Sequence, residues 1–520
     1  MRRIYIKLLT FVFIIFFAQG CTKDWVDLNT DPNNPVDAPL TNVFAHSIRL
    51  IGNNMYNDWQ GMNNFCSYTG QITKIQYTDE SHYQYRDNVV YSRWSDYFQV
   101  QLDLEKIRAK AQEDGKNKTE GAILTWSVFL WQMAVDQWGD IPYSEALNAE
   151  EGNNTPKYDN AEDIYTDLLK KIEEANTLLV TPNPTDDLGK GDIIYNGDFS
   201  KWRKFANSIH LRLAMRISNA KESEAKTEVE KVLTQPGKYP IFEGRGDEAK
   251  LAWQGTNPYE EPYYHNHFVS NRDDHAMAKT LIDSLLSFND PRIHAYAKVN
   301  DDNLYKGQVE GASSGDMTSS RIGAMYRDDP FGYTYFMRYA EVQFMIAEAA
   351  NKQWSTGGVS AEDAYANGIE ASFDETYDNE KSPLYSKNVI IYNVIDANND
   401  TIPDTLVVDK AANLLSYMSN PKVALTGNQA DDQLKIYIQK WISLFKEGQE
   451  LWALQRRTDY PPMPAAPAST YPGHNRGPFR YPYPSTEFNL NKAHVEEAAN
   501  GVVDHFWGKQ IFWDTRVGVQ

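Results

Sequence analysis

The chain has 520 residues, which is enough for a large buried core, and its formal net charge of -20 comes from 51 basic and 71 acidic residues. That sign repels phosphate backbones, and no basic cluster offsets it, so the sequence argues against nucleic acid as a partner. Aromatic residues make up 13% of the chain, with 32 tyrosines and 13 tryptophans. A core cannot absorb all of them, which leaves rings for an amphipathic binding surface.

Residues 1–20 have the pattern of a signal peptide. Two arginines and a lysine precede an apolar run from Leu8 to Ala18, which is shorter than the roughly 20 residues needed to span a bilayer. Small residues just before Cys21 resemble a bacterial lipoprotein signal, in which Cys21 becomes the lipidated first residue. The alternative is ordinary secretion with Cys21 as a bystander.

Residues 21–40 then form a lipid-anchored tether, because Thr22–Pro39 is polar and rich in Pro, Asn and Asp. Cys66 is the one other cysteine in the sequence. If Cys21 carries lipid, no disulfide can form within the chain, and Cys66 is predicted to be a buried small apolar residue.

Apolar residues recur at helical spacing through most of the remaining chain. The segment Thr119–Trp138 is so apolar that we expect its helix to be central. The predicted helices cover Thr41–Asn53, Ser92–Gln112, Thr119–Trp138, Asn160–Leu179, Phe199–Asn219, Glu222–Leu233, Ala276–Leu286, Arg338–Trp354, Ala361–Phe373, Ala411–Met418 and Gln433–Pro461.

The last of these segments, Gln433–Pro461, has the widest apolar stripe and predicts one long helix buried on two sides. Gly448 weakens a helix interior, so we expect it to let another backbone come close. Arg456 and Arg457 suit the negative end of the helix dipole, and Pro461 ends the helix.

Residues 41–520 are predicted to form a single, mainly α-helical domain. The segments Ala340–Trp354 and Ala361–Phe373 together have about the length of one tetratricopeptide unit of 34 residues. The predicted architecture is therefore a scaffold of tetratricopeptide-like helix-turn-helix pairs with large irregular loop insertions. A few short strands complete it, at Val389–Val394 and Thr405–Val408.

The insertions are the segments without helical period. Met55–Tyr91 is aromatic and polar, and ordered loops of that length often carry binding sites. Pro461–Tyr483 holds seven prolines, which exclude a helix. The other irregular segments are Gln235–Asp274, Lys298–Thr334 and Ser386–Lys410.

Eight fragments follow one another in a distinctive order behind the lipoprotein signal. They are DLNTDPNNP (Asp27–Pro35), DQWGDIPYSEAL (Asp136–Leu147), GDFSKWRKFANSIHLRLAMRIS (Gly197–Ser218), FNDPRIHAYAK (Phe288–Lys298), AEVQFMIAEAA (Ala340–Ala350), QKWISLFKEGQELWALQRRTDYP (Gln439–Pro461), RYPYPSTEFN (Arg480–Asn489) and IFWD (Ile511–Asp514). Each fragment is weak alone, but the eight in this order are specific, and together they resemble the SusD/RagB-type nutrient-binding lipoproteins of bacterial outer membranes.

The resemblance implies a non-catalytic binding protein displayed on the cell surface and held in the outer membrane by lipid on Cys21. It also implies a SusC-like TonB-dependent transporter as partner, to which glycans or, in some branches, peptides are delivered. Arg456, Arg457, Arg480 and Trp513 recur in the family pattern, and we interpret them as structural. The ligand-binding residues of the family are not fixed in sequence, so they must be predicted from chemistry.

A sugar ring presents apolar C–H patches on its faces and hydroxyls around its rim. A binding surface therefore needs flat Trp or Tyr rings flanked by polar side chains. Two stretches fit, although their aromatic rings could instead pin long loops onto the core. The first comprises Tyr56, Trp59, Tyr77, Tyr83, Tyr85 and Arg86, and the second comprises Trp253, Asn257, Tyr263, Tyr264, His265 and His267. A third, weaker group comprises Tyr326, Arg327, Tyr333 and Tyr335.

No cofactor or metal is predicted. His265, His267 and the run Asp273–His275 lack the spacing of a zinc site. Asp396–Asp400 begins like a calcium loop, but Thr401 replaces the required Gly and Val407 the bidentate Glu, so only a looser structural calcium site stays open.

No catalytic motif is present, so the chain is predicted not to be an enzyme. An all-α glycoside hydrolase stays an alternative, since two carboxylates facing across a cleft cannot be recognised in sequence. A binding protein for peptides is the other alternative.

Overall fold

Helices form where the apolar periodicity predicts them. The computed structural model describes residues 38–181, 185–377, 389–395, 401–407, 409–499 and 506–520. The predicted signal peptide, Cys21 and nearly all of the predicted tether therefore lie outside the described residues. The α-helices are α1 (Leu40–Tyr56), α2 (Asp87–Glu113), α3 (Asn117–Trp138), α4 (Ala161–Leu178), α5 (Phe199–Arg216), α6 (Glu222–Thr234), α7 (Pro262–Tyr264), α8 (Lys279–Phe288), α9 (Ile293–Tyr296), α10 (Ala324–Arg327), α11 (Tyr339–Asn351), α12 (Ala361–Tyr377), α13 (Lys410–Met418), α14 (Gln429–Ser443), α15 (Gly448–Thr458), α16 (Ser485–Leu490) and α17 (Lys492–Ala498).

Strands are short and pair only in twos within the described residues. They are β1 (Ile72–Lys74), β2 (Ile141–Pro142), β3 (Tyr158–Asp159), β4 (Ala249–Ala252), β5 (His275–Met277), β6 (Tyr333–Met337), β7 (Val389–Ile395) and β8 (Thr401–Val407). The antiparallel pairs are β1–β5, β2–β3, β4–β6 and β7–β8. The mainly α-helical fold with a few short strands is confirmed. Strand β7 matches the predicted Val389–Val394, whereas β8 begins at Thr401, four residues before the predicted Thr405.

Helix α3 lies at the centre of the scaffold, as its composition predicts. Its residues from Thr119 to Trp138 are buried on all sides apart from the half-buried Ser127. Trp126 stacks on Phe129 with ring centroids 5.1 Å apart, and Phe336 of β6 meets Trp126 at 4.8 Å. Burying such rings removes large apolar areas from water, which makes this helix a main source of stability.

Consecutive helices pack side by side in the manner of tetratricopeptide pairs. Helices α2 to α6 form one run in which each contacts the next, and α11 packs on both α12 and α14. At the α11–α12 crossing, Gly368 faces Phe344, and a Cβ there would lie 2.9 Å from the Phe344 ring. Short side chains at a crossing let two helix backbones approach closely, so the predicted pairing is confirmed.

The predicted single helix over Gln433–Pro461 is wrong, because the chain bends between α14 and α15. Lys446 takes the left-handed conformation at φ 71°, and Arg338 donates to the carbonyls of Ser443 (3.0 Å) and Phe445 (2.9 Å) that the bend releases from helical bonding. The predicted close approach at Gly448 is confirmed. A Cβ there would lie 2.7 Å from the Cys66 backbone nitrogen.

Buried arginines tie the helices together. Arg457 donates to both carboxylate oxygens of Glu348 at 2.6 and 2.7 Å, and Arg212 pairs with Glu341 at 2.5 Å. Arg456 lies 3.5 Å from the Trp452 ring centroid and donates to backbone carbonyls. Arg457, Arg456, Arg480 and Trp513 are all buried. The structural interpretation of these residues is therefore confirmed.

Two further predictions need correction. The segment Met55–Tyr91 is not an irregular loop throughout, since it contains a π-helix, π1 (Asp58–Cys66), then β1, a 3-10 turn at Thr78–His82 and the start of α2. The helix predicted over Ala276–Leu286 begins only at Lys279, because residues 275–277 pair as β5 with β1 instead. Pro461–Tyr483 forms no helix or strand, as its prolines predict.

Candidate functional site

The pairing of β1 with β5 brings the two predicted aromatic stretches together. Ile72 lies opposite Met277 and Lys74 opposite His275. The first stretch flanks β1, and the second precedes β5 through a second π-helix, π2 (His265–Val269). Residues about 200 positions apart in sequence therefore share one edge of the molecule.

Trp59 is presented by π1. The Asn57 side chain caps this helix by accepting from the Gln60 backbone N–H at 2.7 Å. Gly61 allows the turn that follows, because a Cβ there would lie 2.2 Å from the Met55 carbonyl oxygen. Trp59 is 45% exposed, whereas the other tryptophans that the structure describes are buried. A large ring left in water on an ordered helix is a candidate contact for a ligand.

Tyr77 stands beside Arg272 on the adjacent loop. Tyr77 is 65% exposed and has a left-handed backbone at φ 50°, and the Arg272 guanidinium lies 4.7 Å from its ring centroid. Arg272 is itself held by Asp274, with Nε 2.8 Å from the carboxylate. A guanidinium over one face fixes the ring, which leaves the other face for stacking.

The helix π2 adds two more rings. Tyr264 stacks on Phe268 with ring centroids 4.8 Å apart, and Phe268 is 51% exposed. His267 meets the Phe268 ring edge-on at 4.7 Å, and its Nδ1 lies 2.7 Å from the Arg272 carbonyl oxygen. We call Trp59, Tyr77, Tyr264 and Phe268, with Arg272, the aromatic platform.

Burial shifts the pKa values of two groups beside the platform. Burial raises the pKa of Asp58, next to Trp59, although the positive charges of Lys74 and Arg272 act against that shift. Burial also lowers the pKa of His267, helped by the charge of Arg327, so this imidazole is neutral at pH 7. A surface of rings, a neutral imidazole and one paired guanidinium suits an uncharged, hydroxyl-rich ligand.

Four of the predicted ligand-binding residues are buried instead, which corrects their assignment as stacking surfaces. Tyr83 accepts from the Ala466 backbone N–H at 2.9 Å, and the Trp253 indole donates to Thr334 at 3.1 Å. The ammonium group of Lys446 covers Tyr56 at 4.9 Å. Tyr56, Tyr83, Trp253 and Tyr263 are each less than 5% exposed. Tyr83, Trp253 and Tyr263 pack on the core, whereas Tyr56, the last residue of α1, also lines the cavity described below.

Other predicted residues lie apart from the platform contacts. Tyr85 donates to Asp87 at 2.7 Å, and Arg86 pairs with Glu80 at 2.5 Å and Asp79 at 2.7 Å. His265 lies 2.6 Å from Glu260, so its ring is already engaged. Asn257 is exposed in the turn before α7.

The three tyrosines of the third, weaker group line one cavity, whereas Arg327 pairs with Asp328 and Asp273 instead. Tyr326, Tyr333 and Tyr335 line this space of about 560 Å³ together with Arg245 and Lys250. Short helix α7 stands between the two features. Glu261, which caps α7, faces the cavity, whereas Tyr264 at its end belongs to the platform.

Sequence reasoning missed several residues of both features. Phe268 follows directly on His267 in a run of exposed apolar residues, which could have been recognised. Arg272 and Arg245 carry no such signal, because their position depends on the β1–β5 and β4–β6 pairings.

The histidines that could resemble metal ligands have separate partners. His267 faces the Arg272 carbonyl, and His275 Nε2 lies 2.7 Å from the Asn63 side-chain oxygen. Among the described residues, no group of three or more His, Cys, Asp or Glu side chains is placed to hold a metal ion. Asp396, Asn398 and Asp400 lie outside the described residues, so a looser calcium site there stays untested.

Comparison with known proteins identifies the family. The model of the SusD-like family described as "Starch-binding associating with outer membrane" matches residues 32–484. The chain therefore belongs to the SusD-like family. No curated protein gives a significant match to the sequence.

Solved structures share the fold over nearly the whole chain. A chitin-binding SusD homologue from Flavobacterium johnsoniae is 24% identical, with a TM-score of 0.73 over 91% of this chain and 99% of that one. A SusD-like protein from Bacteroides thetaiotaomicron is 22% identical, with a TM-score of 0.72 over 93% and 100%. A SusD homologue from Bacteroides uniformis is 22% identical, with a TM-score of 0.73 over 92% and 100%.

In the part of the chain that the structure describes, no helix combines the length and the apolar character of a bilayer span.

Proposed function

We propose that this protein is a non-catalytic glycan-binding lipoprotein of the bacterial cell surface. The aromatic platform binds oligosaccharide by stacking Trp59, Tyr77 and Phe268 on sugar rings, and the helical scaffold holds these rings in place. The observation that carries the proposal is the exposure of these rings on ordered segments, while most other aromatic rings of the described chain are buried. The family description and the chitin-binding homologues support a glycan as ligand.

The direct test is retention on insoluble polysaccharide. Trp59→Ala should reduce retention on chitin or starch at least tenfold, because the ring supplies apolar contact that hydroxyl groups cannot replace. The matched control is Tyr91→Ala, which removes an aromatic ring of similar exposure from α2. Equal retention of the wild type and both variants would overturn the proposed role of the platform.

Peptide binding is the competing outcome of that test. Peptides have charged termini and fewer apolar ring faces, so their binding should depend less on the platform. Calorimetry that shows heat with a peptide library and none with a glycan panel would replace the glycan with a peptide as ligand.

Catalysis is the second competing outcome. The purified protein should leave every glycan of a broad panel intact over days, as chromatography of the reaction mixtures would show. Release of shorter fragments would favour an all-α glycoside hydrolase.

Lipid on Cys21 anchors the protein in the outer membrane, where a SusC-like TonB-dependent transporter receives the glycan. Cys21→Ser should move the protein from the membrane fraction to the soluble fraction. Affinity purification of the wild type from solubilised outer membranes should recover a SusC-like barrel, identified by mass spectrometry. A Cys21→Ser variant that stays in the membrane would contradict the anchor, and recovery without such a barrel would contradict the partner.

A further inference from the structure

The cavity beside α7 has the size and walls of a binding site for a small molecule. Its volume of about 560 Å³ lies within the range of roughly 300 to 1,000 Å³ that is usual for such sites. Strand β6 forms one wall with Tyr333 and Tyr335, whose ring centroids are 5.8 Å apart. Tyr326 belongs to another wall and donates to Glu375 at 3.5 Å.

One cation is already placed against these rings. The Lys250 ammonium lies 4.8 Å from the Tyr333 centroid and 5.4 Å from that of Tyr335. It also pairs with Glu248 at 3.0 Å, so its position is fixed from two sides. The tyrosine wall is therefore ordered before any ligand arrives, which lowers the entropic cost of binding.

Two cations on the cavity floor are paired with carboxylates within the protein. Lys446 pairs with Glu261 at 2.9 Å, and Arg338 pairs with Glu375 and Glu447. A charged ligand on this floor would have to break one of these buried pairs and leave its partner unpaired, which is costly. The floor consequently favours a neutral ligand.

Arg245 is the exception among the lining cations. Its buried Nε has no hydrogen-bond acceptor among the described residues. Burial acts to lower the pKa of Arg245, but the interactions with Tyr335, Glu248 and Glu375 outweigh it and raise that pKa, so the guanidinium stays charged. A donor in this state needs an oxygen acceptor, and a hydroxyl or amide carbonyl can supply one without adding negative charge near those carboxylates.

We propose that the cavity is a second binding site, which takes one or two neutral sugar residues, either as the end of a glycan or as a free mono- or disaccharide. Sugar hydroxyls both donate and accept, so they can accept from Arg245 and donate to the exposed Glu370 carboxylate, which also lines the cavity. The apolar faces of the sugar pack on Tyr333. This inference rests on the proposed glycan-binding function and adds a short-ligand site to the open platform.

The two sites can be separated by ligand length. In calorimetry with N,N'-diacetylchitobiose, cellobiose and maltose, at least one should bind to the wild type. Tyr333→Ala and Arg245→Gln should each weaken that binding at least tenfold, while retention on insoluble polysaccharide stays within twofold of the wild type. Trp59→Ala should give the reverse pattern, and Tyr91→Ala should change neither readout. Thermal melting of each variant checks that it is folded.

Several outcomes would overturn the inference. One is disaccharide binding that both cavity variants leave unchanged. Another is heat only with a charged probe such as glucuronate, glucosamine or a short peptide. A third is polysaccharide retention without binding of any mono- or disaccharide, which removes the cavity site and leaves the proposed function standing. If the wild type neither is retained on insoluble polysaccharide nor binds any mono- or disaccharide, the proposed function itself is rejected.

Discussion

The helical scaffold and the loop-rich side use the same residue types in opposite ways. In the scaffold, Trp126 and Trp441 are fully buried, and arginines such as Arg457 pair with carboxylates away from water. On the loop-rich side, Trp59 and Tyr77 face solvent, and Arg272 lies over an exposed ring. Residue type alone therefore does not separate support from binding. The rings that we propose to bind are ordered, left in water and flank the β1–β5 pair, whereas the equally exposed control ring Tyr91 lies on α2.

The largest expected effect concerns the buried ion pairs of the scaffold. Arg457→Met should lower the free energy of unfolding by about 4 kcal/mol, because Glu348 is left buried without its partner. Chemical denaturation monitored by circular dichroism measures this loss. The double variant Arg457→Met/Glu348→Leu should recover at least half of it.

An exposed ion pair serves as the matched control for that variant. Lys106 and Glu150 are 2.8 Å apart on the surface, so Lys106→Met should leave the denaturation midpoint unchanged. Similar losses for Lys106→Met and Arg457→Met would contradict the distinction between the two environments.

Close backbone packing gives the next largest effect. Gly448→Ala should cost about 3 kcal/mol, because the added methyl group would overlap the Phe65–Cys66 backbone and cannot be accommodated by a side-chain rotation. Gly237→Ala is the control, since a Cβ there would meet nothing within 4 Å. A wild-type melting temperature for Gly448→Ala would show that the contact between α15 and π1 is not tight.

A pH-dependent contribution to stability comes from Glu228. The hydrogen bond from His210, at 2.8 Å, lowers the pKa of Glu228 to about 2, below its ordinary value of 4.5. The stabilisation is therefore fully present above pH 4.5 and is lost as the pH falls towards 2. Glu228→Gln should cost about 1 kcal/mol at pH 7, since solvent access weakens the pair.

The measurement for this variant is the stability profile between pH 7 and 2. The difference between wild type and Glu228→Gln should shrink as Glu228 becomes protonated. A difference that stays constant across this range would contradict the assignment.

The smallest effect on stability is expected on the loop-rich side. Tyr77→Ala should change the free energy of unfolding by less than about 0.5 kcal/mol, because the ring is mostly in water. Polysaccharide retention should nevertheless fall about tenfold, which corresponds to about 1.4 kcal/mol. A variant that loses stability instead of retention would mean that the ring supports the loop rather than a ligand.

The sequence predicts the scaffold well because helical period reports directly on burial. Helices α3 and α5 begin and end within a few residues of their predicted limits. The bend at Lys446 escapes prediction because the apolar stripe continues through it, and the donors that stabilise it come from Arg338 far away in sequence. Local pattern contains no information about such a partner.

The candidate site is predictable only in part for a related reason. Aromatic loop residues can be recognised, but Trp59 and Trp253 look alike in sequence. Trp59 is exposed and Trp253 is buried, and this difference depends on tertiary contacts. Trp253 follows β4 and donates a hydrogen bond to Thr334 in the facing strand β6. The platform itself depends on the β1–β5 pairing, which joins distant segments and has no local signature.

The bend between α14 and α15 contacts residues that support the aromatic platform and residues that line the cavity. In this bend the Lys446 carbonyl accepts from the Cys66 thiol, at the end of π1, at 3.6 Å, and the Lys446 side chain pairs with Glu261 at the cavity. The same helix π1 presents Trp59. These four residues, 444–447, thus contact both the helix that presents Trp59 and the lining of the cavity. A substitution that straightened this bend into continuous helix would move Lys446 away from Glu261. It would also displace π1, the helix that presents Trp59.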